Sequence, residues 1–220
     1  MKTVVSTLLF FIVSSSVHSQ ISKGQWIIGG AVDFSYINSG GKTNGVDNEI
    51  KTTSLESSPG GGYFFMDRLC AGIRVGILTM HTKQVANGRE ASPLFNYYSA
   101  DTRVTGLAFG PFVRYYFLAS SHKLNVFADA SYAYGDNKQK TKTYNEFLYP
   151  GNQFRTISVS TNESKYKTHS FSIAAGPALF LNPKVSLELS LGYTFSKYAD
   201  SDLSANSFIA EAGFQVHLGK

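Results

Sequence analysis

Residues 185–196 read Val-Ser-Leu-Glu-Leu-Ser-Leu-Gly-Tyr-Thr-Phe-Ser, with apolar and polar side chains alternating at every position. In a β-strand, successive side chains point to opposite faces, so this pattern places all the large apolar groups on one face. The other face carries serine, glutamate, glycine and threonine. The stretch therefore predicts a strand that separates an apolar environment from a polar one.

The same two-residue rhythm recurs along the chain. It predicts eight strands, at about residues 25–36, 49–65, 69–80, 103–118, 124–134, 170–181, 185–196 and 207–218. Short turns at residues 66–68, 119–123 and 182–184 alternate with longer connections at residues 37–48, 81–102, 135–167 and 197–206. Short turns at one end and long loops at the other are typical of outer-membrane barrels. We therefore predict an all-β fold, an eight-stranded antiparallel up-and-down transmembrane β-barrel.

The N-terminal segment is excluded from this fold. Lys2 precedes an apolar run at residues 4–13, which is too short to span a bilayer, and small residues follow it before Gln20. We expect residues 1–19 to be a signal peptide and residues 20–220 to form the outer-membrane β-barrel domain. An even number of strands then leaves both termini on the periplasmic side of the outer membrane.

The composition agrees with a barrel. The mean hydropathy is −0.10, which suits a membrane protein whose strands turn half of their side chains inward. The net charge of +5 favours contact with anionic surfaces without identifying one. Cys70 is the single cysteine, so no internal disulfide is possible.

Charged side chains decide which face points inward. Seven of them fall on the polar face of their strands, and a Lys or Arg facing lipid at mid-membrane costs about 2–4 kcal/mol. We therefore expect all seven to form an interior charge network that plugs the barrel, with the two arginines pairing with some of the carboxylates. The seven are Asp33, Glu56, Arg74, Arg114, Asp129, Glu188 and Glu211.

Three prolines fall inside predicted strands. Proline cannot donate a ladder hydrogen bond and normally marks an edge, a strand start or a bulge. Pro59, Pro111 and Pro177 each lie a few residues before a predicted short turn. We expect either β-bulges at these positions or a shared internal repeat.

Several segments carry a family resemblance. They are Gly-Gln-Trp-Ile-Ile-Gly-Gly at residues 24–30, Gly-Tyr-Phe-Phe-Met-Asp-Arg-Leu at 62–69, Arg-Tyr-Tyr-Phe at 114–117, and the closing strand at 208–218. With them, nearly all of the mature chain resembles the small OmpA- and OmpX-type outer-membrane β-barrels of Gram-negative bacteria. The resemblance implies the architecture more than an activity. It also implies that the fifth and sixth strands can project beyond the membrane as a hairpin.

The residues predict no catalytic, cofactor-binding or metal-binding site. The third long connection is the one candidate for surface binding, through Lys138, Lys140, Lys142, Tyr144, Tyr149 and Arg155. We expect a structural or surface-binding barrel, a monomer, in contact with outer-membrane lipids including anionic lipopolysaccharide. An extracellular protein or surface ligand is a possible partner, and no nucleic acid is expected.

Other classes stay open at this level. A secreted lipocalin would also have eight strands, and Gly-Gln-Trp at residues 24–26 matches its first strand, but it would turn apolar side chains inward. A small pore is a further alternative. An outer-membrane lipid-modifying enzyme is another, because His217 accompanies many serines.

Overall fold

The computed structural model describes residues 21–43, 45–88, 95–119, 121–148 and 155–219. The predicted signal peptide and Tyr149 lie outside them. Nine strand segments follow one another along the chain. They are β1 (Trp26–Thr43), β2 (Val46–Ser57), β3 (Gly60–Met66), β4 (Leu69–Asn87), β5 (Phe95–Tyr116), β6 (Leu124–Leu148), β7 (Arg155–Asn182), β8 (Val185–Tyr198) and β9 (Ser204–Leu218). In these ranges no helix is long and apolar enough to cross a membrane.

The strands form one closed antiparallel barrel. Consecutive strands pair with one another, except β2 and β3, and β1 also pairs with β9, which closes the sheet. The segments β2 and β3 act as a single barrel strand, because both pair with β1 on one side and with β4 on the other in the same register. The fold is therefore the predicted eight-stranded barrel.

The strands are longer than predicted. Most of residues 37–48, 81–102 and 135–167, predicted as long loops, continue the strands, and β7 alone has 28 residues. These extensions carry polar side chains on both faces, so their sequences lack the apolar alternation that marks a strand. Pairing with the neighbouring strand holds them in place, as between Lys140 and Glu163 on β6 and β7.

The prediction of bulges at the three prolines is wrong. The register is the same on both sides of Pro59, of Pro111 between β5 and β6, and of Pro177 between β7 and β8. A ladder step is lost at each, but no residue is inserted. A Cβ on Gly110 or Gly176 would collide with a carbonyl of the next strand, so glycine before proline lets that strand stay close. The register shifts occur instead beside the short turns, at Phe64/Met66 and Phe180/Asn182.

The two faces of the wall are sorted as the alternation predicts. Large apolar side chains cover the outside and form an apolar belt, in which Leu191 is 74% and Phe208 is 88% exposed. None of the seven predicted interior charges is exposed on the outer surface. Apolar groups outside and charges inside are the reverse of a lipocalin, so that alternative is wrong.

The end of the barrel that carries the short turns, the short-turn end, is covered by the segment before β1. A two-residue turn at Asp67 and Arg68 joins β3 to β4, with Arg68 in the left-handed region at φ 67°. The backbone N–H of Arg68 donates to the carbonyl of Ile21 (2.8 Å), and the N–H of Lys23 donates to Asp67 (2.9 Å). These bonds hold the segment before β1 against the barrel, where Ile21 is buried.

Candidate functional site

An ion cluster fills the middle of the barrel. Arg114 on β5 donates from Nε to Asp129 Oδ2 on β6 (3.0 Å) and from Nη1 to Glu188 Oε2 on β8 (2.7 Å). Arg74 on β4 binds Asp129 with both terminal nitrogens, at 3.1 and 3.0 Å. Two guanidinium groups thus neutralise two carboxylates contributed by different strands. Paired in this way, the four charges avoid the penalty of an isolated ion in a low-dielectric interior.

Neutral side chains complete the hydrogen bonding of this cluster. The Tyr116 hydroxyl donates to Glu188 Oε1 (2.9 Å), and the Gln215 amide donates to Glu188 Oε2 (3.3 Å). The Arg114 guanidinium lies 4.4 Å from the centre of the Phe127 ring. Arg114 and Glu188 are buried, so the arrangement connects β5, β6 and β8 across the lumen.

The other three predicted network residues are not part of these ion pairs. Asp33, Glu56 and Glu211 lie on the inner face farther from the short turns, and Glu211 accepts a hydrogen bond from Ser190 (3.4 Å). Their carboxylates interact electrostatically with one another. The structure therefore brings four of the seven residues into direct contact and leaves three carboxylates facing the lumen.

An aromatic layer lies between the ion cluster and the short turns. Its ring centres are 5.1 to 6.4 Å apart, and each side chain is at most 1% exposed. The predicted plug is therefore polar above and aromatic below. The alternation contained the signal, since all five positions share the inner face of their strands. The layer consists of Phe64, Tyr116, Phe127, Phe180 and His217.

Ser186 and His217 meet inside this layer. Ser186 Oγ lies 3.2 Å from His217 Nε2, which is the distance of a serine–histidine pair. Both side chains are fully buried and His217 packs against Phe64 and Phe180, so a lipid cannot reach the hydroxyl. Contacts of this kind give the pair a packing role.

A cavity of about 380 Å³ lies above the ion cluster. Its floor includes Arg114, Phe127 and Glu188, and its walls rise past Glu211 to Tyr166 and Tyr198. Across the described residues, no three His, Cys, Asp or Glu side chains are arranged to hold a metal ion. The cavity is thus a vestibule lined by both polar and apolar groups, with the ion cluster as its floor.

The five described candidate surface-binding residues lie on the paired strands β6 and β7, which form the hairpin expected from the sequence and not an unpaired loop. Lys138, Lys140, Lys142 and Tyr144 belong to β6, and Arg155 is the first residue of β7. Those segments are strand because each residue of β6 from Lys138 to Leu148 pairs with β7.

Two small ion clusters organise this hairpin. Lys140 and Lys138 bind the two oxygens of Glu163, at 2.9 and 3.2 Å, and they lower the pKa of that carboxyl. Nearer the tip, Arg155 Nε donates to Glu146 (2.8 Å), and the Tyr144 hydroxyl donates to the other oxygen (2.9 Å). The hydrogen bond from Arg155 to Glu146, followed by that between Arg155 and Tyr144, raises the pKa of Arg155.

Several solved structures have detectable similarity to this chain. The chain resembles OprG from Pseudomonas aeruginosa (11% identity, TM-score 0.43, covering 93% of this chain and 100% of that one). It also resembles Ail of Yersinia pestis (16%, TM-score 0.39, 88% and 99%) and Neisserial surface protein A (14%, TM-score 0.39, 88% and 97%). Among curated proteins, no sequence matches the chain.

The family match spans almost the entire sequence. Residues 5–219 match the outer membrane protein beta-barrel domain. A closed barrel with an apolar exterior and enclosed charges is the structure that such a match requires. The protein is therefore an outer-membrane protein, and its chain belongs to the outer membrane protein beta-barrel domain family.

Proposed function

We propose that this protein is a sealed, monomeric, non-enzymatic barrel that binds a surface partner through strands projecting from the cell. The projecting sheet comprises residues 37–43, 46–52, 81–87, 95–103, 136–148 and 155–167, the outer ends of six strand segments. It lies beyond the apolar belt, and with both termini periplasmic it would extend from the cell surface.

The free edge of β7 is the observation that carries the proposal. Pairing between β7 and β8 begins at Thr168 and Tyr198, and the Ala199 N–H donates to the Lys167 carbonyl just beyond it (2.9 Å), so within the described chain residues 155–166 of β7 pair on the β6 side alone. Every residue from 155 to 165 is exposed. An unpaired strand edge presents N–H and C=O groups that can accept another chain as an added strand.

The charge of this region favours an acidic partner. Between residues 138 and 165 the chain has five basic and two acidic residues, whereas residues 38–51 of the β1–β2 hairpin have two of each. Main-chain hydrogen bonds would supply affinity, and the basic side chains would select a partner of opposite charge.

Outer-membrane lipids are the second partner in this proposal. Arg103, Lys140, Lys138 and Lys165 lie on paired positions of β5, β6 and β7, just beyond Phe109 and Tyr134 of the apolar belt. Basic side chains at this level are placed to contact the phosphate groups of lipopolysaccharide.

Two shortened variants test the role of the β6–β7 hairpin. In one, residues 138–165 are replaced by Asn-Gly; in the control, residues 38–51 are replaced in the same way. Each replacement connects two residues that pair with each other, Asn137 with Tyr166 and Ile37 with Thr52. A fluorescent peptide of alternating Thr and Glu should bind the full chain and the control, and should lose binding to the first variant. Equal binding by all three proteins would refute the proposal.

The orientation is tested by labelling intact cells. A cysteine placed at Ser158 should react with a membrane-impermeant maleimide, and one placed at Gly219 should react only after the outer membrane is opened. The reverse result would place the projecting sheet in the periplasm and remove its surface role.

A sealed, non-enzymatic barrel leads to two further expectations, one about transport and one about lipid chemistry. The aromatic layer closes the lumen, so liposomes containing the protein should not swell in sugar solutions. The buried Ser186–His217 pair gives no access to substrate, so phospholipid and lipopolysaccharide should remain intact in mass spectra. Swelling would favour the pore, and lipid turnover would favour the enzyme.

A further inference from the structure

The wall of the barrel is split between its first and last strands. Pairing of β1 with β9 runs from Trp26 and Leu218 to Val32 and Ala212 and goes no further in the described chain. Beyond that point β1 still pairs with β2, and β9 still pairs with β8. Residues 33–36 of β1 and 208–211 of β9 therefore face each other unpaired, and we call this gap the lateral split.

The lateral split begins inside the apolar belt. Phe34 pairs with Leu55 and Phe208 pairs with Tyr193, and all four side chains point outward. Phe208 is the most exposed large apolar residue described, at 88%, and Phe34 is 65% exposed. Four residues of strand span about 13 Å, so the gap extends well below the projecting sheet.

Unpaired strand edges at this depth need a partner. Hydrocarbon offers no hydrogen bonds, and open sheet edges do not face lipid within a membrane. The inner side of the split opens into the vestibule, because Ala31, Ile209 and Glu211 all line that cavity. Glu211 places a carboxylate there. An occupant must therefore combine polar groups directed inward with an apolar part directed toward lipid.

The charge inside the split selects the sign of the occupant. Asp33, Glu56 and Glu211 form no ion pair in the described structure. The two guanidinium groups of the lumen are already bound to Asp129 and Glu188. Arg74 interacts electrostatically with Glu211 but makes no ion pair with it, so an incoming cation would meet three carboxylates that have no direct cationic partner, and an incoming anion would be repelled by them.

We propose that the lateral split is an opening through which a single-chain cationic amphiphile enters from the outer leaflet. Its ammonium group faces Glu211 and Glu56 in the vestibule, and its alkyl chain lies between Phe34 and Phe208. This site is separate from the projecting sheet, so it stands whether or not the sheet binds a partner.

Tryptophan quenching tests this site directly, because the chain has a single tryptophan. Trp26 is replaced by Phe, and a new indole is introduced by Phe208→Trp. The matched control is Phe171→Trp, also exposed in the outer belt but on β7, which is paired on both sides there. Heat-dependent gel migration verifies that both variants form folded barrels.

The probes are hexadecyltrimethylammonium and hexadecyl sulfate, each brominated on the chain, added to phosphatidylcholine vesicles. The cation should quench the indole at position 208 saturably, at a concentration about tenfold lower than the anion requires, equal to about 1.4 kcal/mol. At position 171 both probes should quench weakly and alike. The double substitution Glu56→Gln with Glu211→Gln should abolish the preference for the cation.

Each other outcome overturns the proposal. Equal quenching at positions 208 and 171 would mean that the split holds no amphiphile. Equal quenching by cation and anion at position 208 would refute the assignment of the ammonium group. Persistence of the preference in the double glutamine variant would show that the carboxylates of the vestibule do not bind it.

Discussion

The two halves of this barrel, the short-turn half and the projecting half, differ in how their strands are paired and packed. In the short-turn half every strand has two partners, and the lumen is filled by Arg114, its carboxylates and the aromatic layer. In the projecting half β1, β7 and β9 each lose one partner and most side chains of the projecting sheet are exposed. Stability is therefore concentrated at one end, and the surfaces free to bind something lie at the other.

The largest effect is expected from Arg114→Met. It leaves Glu188 buried without a cation, and breaking a buried ion pair in this way costs about 3–5 kcal/mol of unfolding free energy. Adding Glu188→Gln should restore much of the loss, because Asp129 keeps both bonds to Arg74. The measurement is urea unfolding of the refolded barrel in vesicles.

The matched control for that variant is Lys140→Met, which breaks an ion pair in the projecting half. Lys140 and Glu163 are largely exposed, so their ion pair should leave the urea midpoint unchanged. If Arg114→Met were equally silent, the ion cluster would not be the centre of stability, and the contrast between the two halves would be wrong.

A smaller loss is expected from Tyr116→Phe. This change removes the hydroxyl bonded to Glu188, and a hydrogen bond to a charged group contributes about 1.5–3 kcal/mol. Tyr132→Phe is the matched change on the outer surface, where the hydroxyl bonds to exposed His169; it should shift stability by no more than about 0.5 kcal/mol. Equal losses would show that burial does not strengthen the inner bond.

These residues also show how far the sequence could lead. The strict alternation in residues 185–196 predicts both the strand and its lipid-facing side, because a strand has a period of two. Arg114 and Asp129 could be placed on the same face, but not in contact, since their pairing depends on the register of β5 and β6. Glu188 meets Arg114 across the lumen, and nothing in either segment encodes that distance.

The projecting half was harder to predict for a physical reason. Residues 136–143 are polar on both faces, so a strand there has the same pattern as a loop, and only pairing with the neighbouring strands distinguishes them. The lateral split leaves no mark in the sequence either, because Phe34 and Phe208 continue the alternation past the last β1–β9 pair. By contrast, the alternation alone could have predicted that Phe64, Phe127 and Phe180 face the lumen.

Shortening the projecting sheet should have little effect on folding. Replacing residues 138–165 by Asn-Gly removes exposed strand and no part of the ion cluster or aromatic layer. We expect the unfolding free energy to change by no more than about 1 kcal/mol, because regions with few buried contacts contribute little to global stability. Urea unfolding and heat-dependent gel migration check this, and failure of the variant to refold would make the sheet part of the stable unit.

The finest difference between the halves lies in how their ion pairs respond to pH and salt. Lys140, and then Lys138, lower the pKa of Glu163. A carboxyl with a depressed pKa stabilises the fold above its unfolded pKa, and this contribution is lost as the pH falls through the folded value. NMR titration of Glu163 should give a midpoint below its ordinary value, which rises more in Lys140→Met than in Lys138→Met. Added salt should raise it too, because exposed charges are screened. The enclosed contacts of Arg114, by contrast, should not respond to salt. If the midpoint of Glu163 were the same in both lysine variants as in the unaltered protein, the hairpin would not hold these ion pairs in solution.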